Sequence, residues 1–400
     1  MPATTPQAAL VQQPYPQFIK YMGSKSKIMD FVLDGLNEVY DGGMVCDLFA
    51  GSGSLAGAIG RQVSFHSNDI QAYSSVLAGT YLNARKYEGM PSGADLVQRA
   101  GEIVQKNAKQ LGLAVSYDSV SSLKKFNEIE RAQQEILKRR FVREWHLFVK
   151  YYSGTWWSAN QCLWIDALRE ISEEYNQQPC YELILSSLMH AMAYVGQGTG
   201  HYAQYRDAKT LSSMADILIY RRRRIEDYFL RKYDSATRDL APDPVSHSHT
   251  VTTLDFKDCL AQFQGGTVYA DPPYCFVHYS RFYHAIETLV KYDYPPIQVK
   301  AGEYVKGRYR EDRHQSPFCI QSQVKQAFVD LFAGVQRSDS RLVLSYSNTG
   351  MISLEEVGEL ARQIFPDRKL DMLLTNHQHM TLGRQFDRHR EVEECLLLVK

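Results

Sequence analysis

The chain has 400 residues, 44% hydrophobic and 12% aromatic, with 45 basic and 45 acidic residues and a formal net charge of zero. That length makes two structural units the default and that composition supplies a sizeable core. The neutral balance excludes a protein that coats nucleic acid along its whole surface, but allows a local basic patch balanced elsewhere. Seven cysteines (Cys46, Cys162, Cys180, Cys259, Cys275, Cys319 and Cys395) are scattered without a C-x-x-C pair. They point to buried, reduced thiols in a reducing cytosol, with no disulfide framework, no zinc site and no other metal. Met1 to Gln17 is rich in Pro, Ala and Gln and lacks a basic start and an apolar run. Residues 1–17 therefore read as a flexible tail, not a signal peptide. No apolar run approaches the ~20 residues of a membrane helix, so the expectation is a cytoplasmic protein without a membrane partner.

The first patterned stretch is Lys20-Tyr21-Met22-Gly23-Ser24-Lys25. A Gly-Ser turn between lysines leads into an amphipathic helix from about Ser26 to Tyr40, with Ile28, Phe31, Val32, Leu36 and Val39 at helical spacing. Exposed N–H groups and two ammonium groups there suit a carboxylate or phosphate; alone, the stretch reads first as a solvated loop before a capped helix. Val45 to Leu55 is more specific. A strand runs into Asp47-Leu48-Phe49-Ala50-Gly51-Ser52-Gly53, and Ser54 then caps a helix. The glycines let backbone approach a ligand closely. A second strand, Val63 to Asn68, ends in Asp69-Ile70. An acid at the tip of the second strand binds ribose hydroxyls in such βαβ units. Ala56 stands where a third pyrophosphate-wrapping glycine would fall, so the ligand has a nucleoside part without that wrap.

From about Asn83 to Thr250 the spacing turns to long helices. Leu96, Val97, Ala100, Ile103, Val104 and Leu111 mark one; Phe126, Ile129, Ile136, Phe141 and Trp145 mark a second, long and charged. Lys138-Arg139-Arg140 with Arg143, and Arg221 to Arg224, are basic clusters, each by itself read first as a solvated helix face. Tyr151 to Ser158 is an aromatic, glycine-containing loop, and Gly196 to Arg206 is glycine-rich with His201, Gln204 and Arg206. Basic, aromatic and amide groups on loops suit phosphate anchoring and base contact. Arg139, Arg140, Tyr152, Trp156, His201, Gln204 and Arg206 are therefore candidate nucleic-acid contacts.

Val251 to Phe256 returns to strand character, in a position that predicts a neighbour of the strand that follows. Asp255 and Phe256 suit an adenine clamp, and equally a helix cap with a core ring. Thr267-Val268-Tyr269-Ala270 is a short apolar strand ending in Asp271-Pro272-Pro273-Tyr274. The prolines have no N–H for a ladder and fix φ, so the chain leaves the sheet stiffly and displays an acid, free carbonyls and a ring. The Asp271 carboxylate and the Pro272 carbonyl can accept both hydrogens of a planar amine. Tyr274 can stack on the attached ring, a contact of roughly 1–3 kcal/mol. Alone, the tetrapeptide fits a turn equally well. Beyond it, Phe276 to His284 and Lys306 to His314 read as mobile basic loops that order on nucleic acid, adding His278, Arg281, Arg308 and Arg310 to the candidates. A helix over Val324 to Ala333, a strand over Leu342 to Ser347, a helix opened by Ser353, and closing strands over Leu370 to Thr375 and Val392 to Lys400 complete the pattern, with Arg384 to Arg390 as the last turn.

In this order, the Lys20–Lys25, Asp47–Gly53, Asn68–Ile70 and Asp271–Tyr274 blocks resemble the Dam-like, D12 class adenine-specific DNA methyltransferases. The order assigns the class, because other amino-methyltransferases permute these blocks. The resemblance implies an α/β, Rossmann-like S-adenosylmethionine-dependent methyltransferase sheet over residues 18–83 and 251–400. A mostly helical target-recognition insertion over 84–250 is longer than that of the Dam enzymes. It implies S-adenosylmethionine as cofactor, held by Tyr21, Gly23, Lys25, Asp47, Phe49, Gly51, Ser52, Gly53, Asp69, Ile70, Asp255, Phe256 and Asp271. Asp271, Pro272, Pro273 and Tyr274 would hold a flipped adenine for N6 methylation. Double-stranded DNA is the implied partner, and a companion restriction endonuclease is left open. The rivals are an N4-cytosine methyltransferase, a non-catalytic DNA-binding module on the same scaffold, and a methyltransferase acting on RNA or protein. Serine is the more usual first residue of the tetrapeptide in cytosine enzymes, so Asp271 favours adenine.

Overall fold

The computed structural model describes residues 9–113, 115–142, 144–198, 200–241, 247–274, 278–380 and 389–400. Expectations placed on residues 1–8, Arg143, Phe276, Val277 and residues 381–388, including most of the Arg384-to-Arg390 turn, lie outside the described residues. Among the described residues the chain builds a seven-stranded sheet in the order β3-β2-β1-β4-β7-β9-β8. The strands are β1 (Val45–Asp47), β2 (Phe65–Asn68), β3 (His249–Thr252), β4 (Thr267–Ala270), β7 (Arg341–Ser347), β8 (Leu370–Met380) and β9 (His389–Val399). A separate small hairpin is β5 (Val299–Lys300) with β6 (Glu303–Tyr304). β1 pairs in parallel with both β2 and β4, while β9 runs antiparallel between β7 and β8. This is the Rossmann-like α/β sheet that the sequence predicts. From β1 the chain steps outward through β2 and β3 on one side and resumes at β4 on the other. Such reversals leave a crevice at the carboxyl ends of the strands.

Every residue of β1, β2 and β4 is buried. Burial on both faces is why β4 and the start of β1 are apolar without alternation, while β2 carries polar residues that the interior bonds, as His66 does to Thr252 and Asn68 to Leu254. Helix α1 (Met29–Val39) lies on one face, over β7 and β9, with Val32 and Leu36 buried. Gly35 permits that approach, since a Cβ there would stand 2.6 Å from Leu396 Cδ1. The same face carries α2 (Ser54–Ile59) and α3 (Ala72–Leu82). The helices inserted between β2 and β3 are α4 (Gly93–Leu111), α5 (Leu123–Gln134), α6 (Leu147–Tyr152), α7 (Ala159–Glu173), α8 (Tyr181–Val195), α9 (Leu211–Arg221) and α10 (Ile225–Asp239). Leu77 of α3 and Leu183 and Leu188 of α8 belong to one continuous core with β1 and β2, so the insertion shares the apolar interior of the sheet. After β3 come α11 (Phe256–Gln262), α12 (Tyr279–Phe282), α13 (His284–Lys291), α14 (Val324–Arg337) and α15 (Leu354–Ile364). α11, α14 and α15 cover the opposite face. β7 divides accordingly, with Leu342 and Leu344 on the second face and Val343 on the first.

Three local expectations are corrected. Gly53, at φ 68°, is the N-cap of α2, and Ser54 is its first helical residue. The predicted long charged helix through Trp145 stops at Gln134, makes a 3-10 turn over Glu135–Lys138, and leaves Phe141 and Trp145 in a loop where Trp145 has φ 64°. β3 neighbours β2 at the sheet edge, not the Asp271 strand.

Arg221, from the second basic cluster, is only 4% exposed and bonds Glu130 through Nε at 3.0 Å and Nη2 at 2.6 Å. Its guanidinium also donates to the carbonyls of Thr155 and Trp156, tying α9 to α5 and to the aromatic loop. Removing one partner of such a pair strands a buried charge. Arg221→Ala is therefore expected to lower urea stability by about 3–5 kcal/mol. The double change Arg221→Met with Glu130→Leu is expected to cost less than the single one.

Candidate active site

A cleft opens at the carboxyl ends of β1, β2 and β4, holding about 1170 Å³ of space outside atoms, its open mouth included. The loop after β1 contributes Phe49, Gly51 and Ser52; the tip of β2 contributes Asp69 and Ile70; the loop after β3 contributes Leu254, Asp255 and Phe256. Asp271, Pro272, Pro273 and Tyr274 follow β4 and face the same space, with Tyr21, Gly23 and Lys25 on a third side. Two segments more than two hundred residues apart in sequence thus meet because their strands are adjacent, with Asp47 of β1 opposite Tyr269 of β4.

Asp69 is positioned by backbone. Gly51 N–H donates to Oδ2 and Gln71 N–H to Oδ1, each at 2.9 Å. Gly51 reaches it at φ 54°, where a Cβ would lie 2.9 Å from the Tyr21 ring. Burial pushes the Asp69 carboxyl up to about 6 even though those two N–H groups pull it down. A carboxylate has four acceptor positions, so two bonds leave capacity for hydroxyls in the cleft. Asp47 is buried with Oδ1 unpartnered, and burial followed by the charges of Asp271 and Asp69 holds its pKa well above the carboxylate range. Tyr21 stacks on Tyr283 at 4.7 Å between ring centres, and Met22 N–H donates to the Tyr283 hydroxyl at 2.8 Å.

Lys25 is 7% exposed and sits between two carboxylates, 3.3 Å from Asp271 Oδ1 and 3.0 Å from Glu394 Oε1. Burial works against the ammonium, but Asp271 and Glu394 more than offset it and hold its pKa above the ordinary lysine value. Burial also pushes the Asp271 carboxyl up to about 7; Lys25 opposes that shift and Glu394 adds to it. The Tyr274 hydroxyl donates to Glu394 at 3.0 Å, and its ring meets Tyr346 edge-on. Glu394 is absent from the sequence-derived candidates. Its only signal was an acid next to the apolar half of the closing strand.

Other candidates are placed differently. Gly53 does not line the cleft; its α-carbon faces Ala78 and Tyr81. Asp255 caps α11 by accepting from Lys257 N–H, and Phe256 packs on Phe49 and Phe318, while both still line the cleft. Tyr152 and Trp156 are fully buried in the helical core, which corrects their assignment as nucleic-acid contacts. Arg310 is 5% exposed and locked to Asp293 by two bonds of 2.7 Å, so it too is structural. Arg206 pairs with Asp216. Arg139, Arg140 and Gln204 are exposed; His201 is half-buried against Phe282. His278 lines the cleft, and Arg281 lies over the Tyr309 ring at 5.0 Å, beside the Arg308 loop. One metal-type grouping does form, contrary to the expectation of unrelated cysteines: Cys46, His66 and Cys259 converge, all buried. No fourth His, Cys, Asp or Glu joins them among the described residues, and His66 Nε2 is already bonded to Thr252 Oγ1 at 2.8 Å. The trio serves as a polar layer between sheet and α11.

Residues 21–161 match the family described as D12 class N6 adenine-specific DNA methyltransferase. The matched segment is about a third of the chain, so the match marks a resemblance to that family. It is 24% identical over 357 residues to the modification methylase LlaI of Lactococcus lactis subsp. lactis, across 87% of this chain and 49% of that protein. With the type II methyltransferase M.NlaIII of Neisseria lactamica it shares 22% over 400 residues, across 93% and 96%. M.FokI of Planomicrobium okeanokoites is 22% identical over 356 residues, across 86% and 47%. The chain thus spans about half the length of the LlaI and FokI proteins and nearly all of M.NlaIII. The matched segment holds Tyr21, Lys25, the Asp47–Gly53 loop and Asp69; the sheet then brings Asp271 to them.

Gly53 at φ 68° would place a Cβ 3.1 Å from Ala78 N and 3.2 Å from its Cα, both backbone atoms. Gly53→Ala is expected to lose about 1 kcal/mol or more in urea denaturation, from the left-handed backbone and the collision together.

Proposed function

We propose that this protein transfers a methyl group from S-adenosylmethionine to N6 of an adenine in double-stranded DNA, with the base turned out of the helix into the cleft. The convergence of the Gly51 loop, Asp69 and Asp271 on one cleft carries the reading. The cofactor fits the residues present: Asp69 keeps acceptor capacity for ribose hydroxyls, Ile70 and Phe256 offer apolar faces to a purine, and the Gly51 backbone allows close approach. When bound, the cofactor supplies an electrophilic methyl on a sulfonium.

The protein's own work is alignment. Asp271 and the Pro272 carbonyl accept from the adenine amine and point its lone pair at the incoming methyl. Positioning of that kind accounts for several kcal/mol of a barrier. Asp271 serves as an orienting acceptor, and the amine proton leaves once attack has begun. A base inside a duplex cannot reach these groups, so it must flip, at a cost of a few kcal/mol. Tyr274 lines the same space and offers ring contact, with its hydroxyl anchored by Glu394. The helices over residues 84–250 are assigned to target recognition, with Arg139, Arg140, His201 and Gln204, and with His278 and Arg281 from the loops beside the cleft. A companion restriction endonuclease is part of the same proposal.

Asp271→Asn is expected to reduce methyl transfer by about 10²–10³-fold while the melt of the protein stays cooperative. Labelled-methyl incorporation and mass spectrometry of digested DNA measure this, and N4-methylcytosine in place of N6-methyladenine would overturn the choice of base. The accepting form of Asp271 is the carboxylate, and its pKa lies at about 7. kcat/KM should therefore rise with pH through about 7 and level above it.

A further inference from the structure

We propose that Glu394 is a positioning residue that works through Lys25, keeping the ammonium from closing fully on Asp271 and setting the charge Asp271 carries. This rests on the reading of Asp271 as the acceptor for the target amine and extends it to a strand remote in sequence from the motif.

Geometry supports the assignment. Lys25 Nζ is nearer to Glu394 Oε1, at 3.0 Å, than to Asp271 Oδ1, at 3.3 Å, and its hydrogen bond goes to Glu394. An Asp271 paired tightly with a lysine would give up one acceptor position, and part of its charge, before any amine arrived. Glu394 shares the ammonium with Asp271. Glu394 is 1% exposed, and its second oxygen, Oε2, has no partner. A carboxylate buried with one oxygen unpartnered is not what stability would select, since apolar replacement of buried pairs is often neutral or better. Its charge acts instead on the groups around Asp271, which are Lys25, Glu394, Asp47 and Tyr269. Of these, Lys25 favours the Asp271 carboxylate, while Glu394 opposes it.

The test is Glu394→Gln, which keeps shape and removes charge. Two readouts are followed: the acid limb of the pH dependence of kcat/KM, and the titration of the Asp271 carboxyl by ¹³C NMR in the free protein, assigned by difference from Asp271→Asn. Both midpoints are expected to fall by about one pH unit. Glu394→Asp, which retains the charge, should leave most of that shift undone. A merely structural Glu394 would lower the rate at every pH and move neither midpoint, and that result overturns the proposal. Should the parent protein transfer no methyl group to DNA, the proposed function falls, and the NMR titration alone still decides the role of Glu394. If the Gln variant does not fold, Glu394→Met, uncharged and close in shape, takes its place with the same expectation.

Discussion

A buried ammonium group holds the working end of this molecule together. Lys25 comes from a 3-10 turn before α1, Asp271 from the loop after β4, and Glu394 from β9. None of these segments contacts the others through regular backbone pairing at that point. Charge joins them against the cost of burial: the same loss of solvent that raises Asp271 also raises Asp47 and Asp69. The cleft is thus a cluster of acids held against their preference by the fold, with one cation to steady them. Such strained clusters are characteristic of sites that act on a ligand.

The sheet supplies the frame for this cluster. β1, β2 and β4 are too short and too buried to carry chemistry along their length, so it falls at their ends. Each end has a different device: glycine at positive φ after β1, an acid held by two N–H groups after β2, and prolines after β4. Each is a local solution to stopping a strand and leaving backbone or a carboxylate exposed. Their effect comes from adjacency, which the strand order imposes.

Much of this was legible in the chain itself. The four motif blocks, the strands before them and the acid at Asp69 all follow from local rules about glycine, proline and apolar runs. Tyr152 and Trp156 were misjudged because aromatic density is the same whether a loop faces solvent or a core, and only packing decides; both are fully buried. Arg310 was misjudged for the same reason, since nothing local announces that Asp293 lies across from it. Glu394 was missed because its meaning depends on β9 sliding between β7 and β8, a non-local pairing that no window of sequence reveals. Cys46, His66 and Cys259 likewise meet only through strand register and the packing of α11.

The bond between Lys25 and Glu394 spans 369 positions along the chain. Closing so large a loop has an entropic cost that only later contacts recover, and topologies rich in such closures fold slowly. The anchored lysine therefore depends on both ends of the chain being in place: Lys25 near the start and β9 at the close. Trimming either end would leave the glycine loop and Asp69 without that anchor.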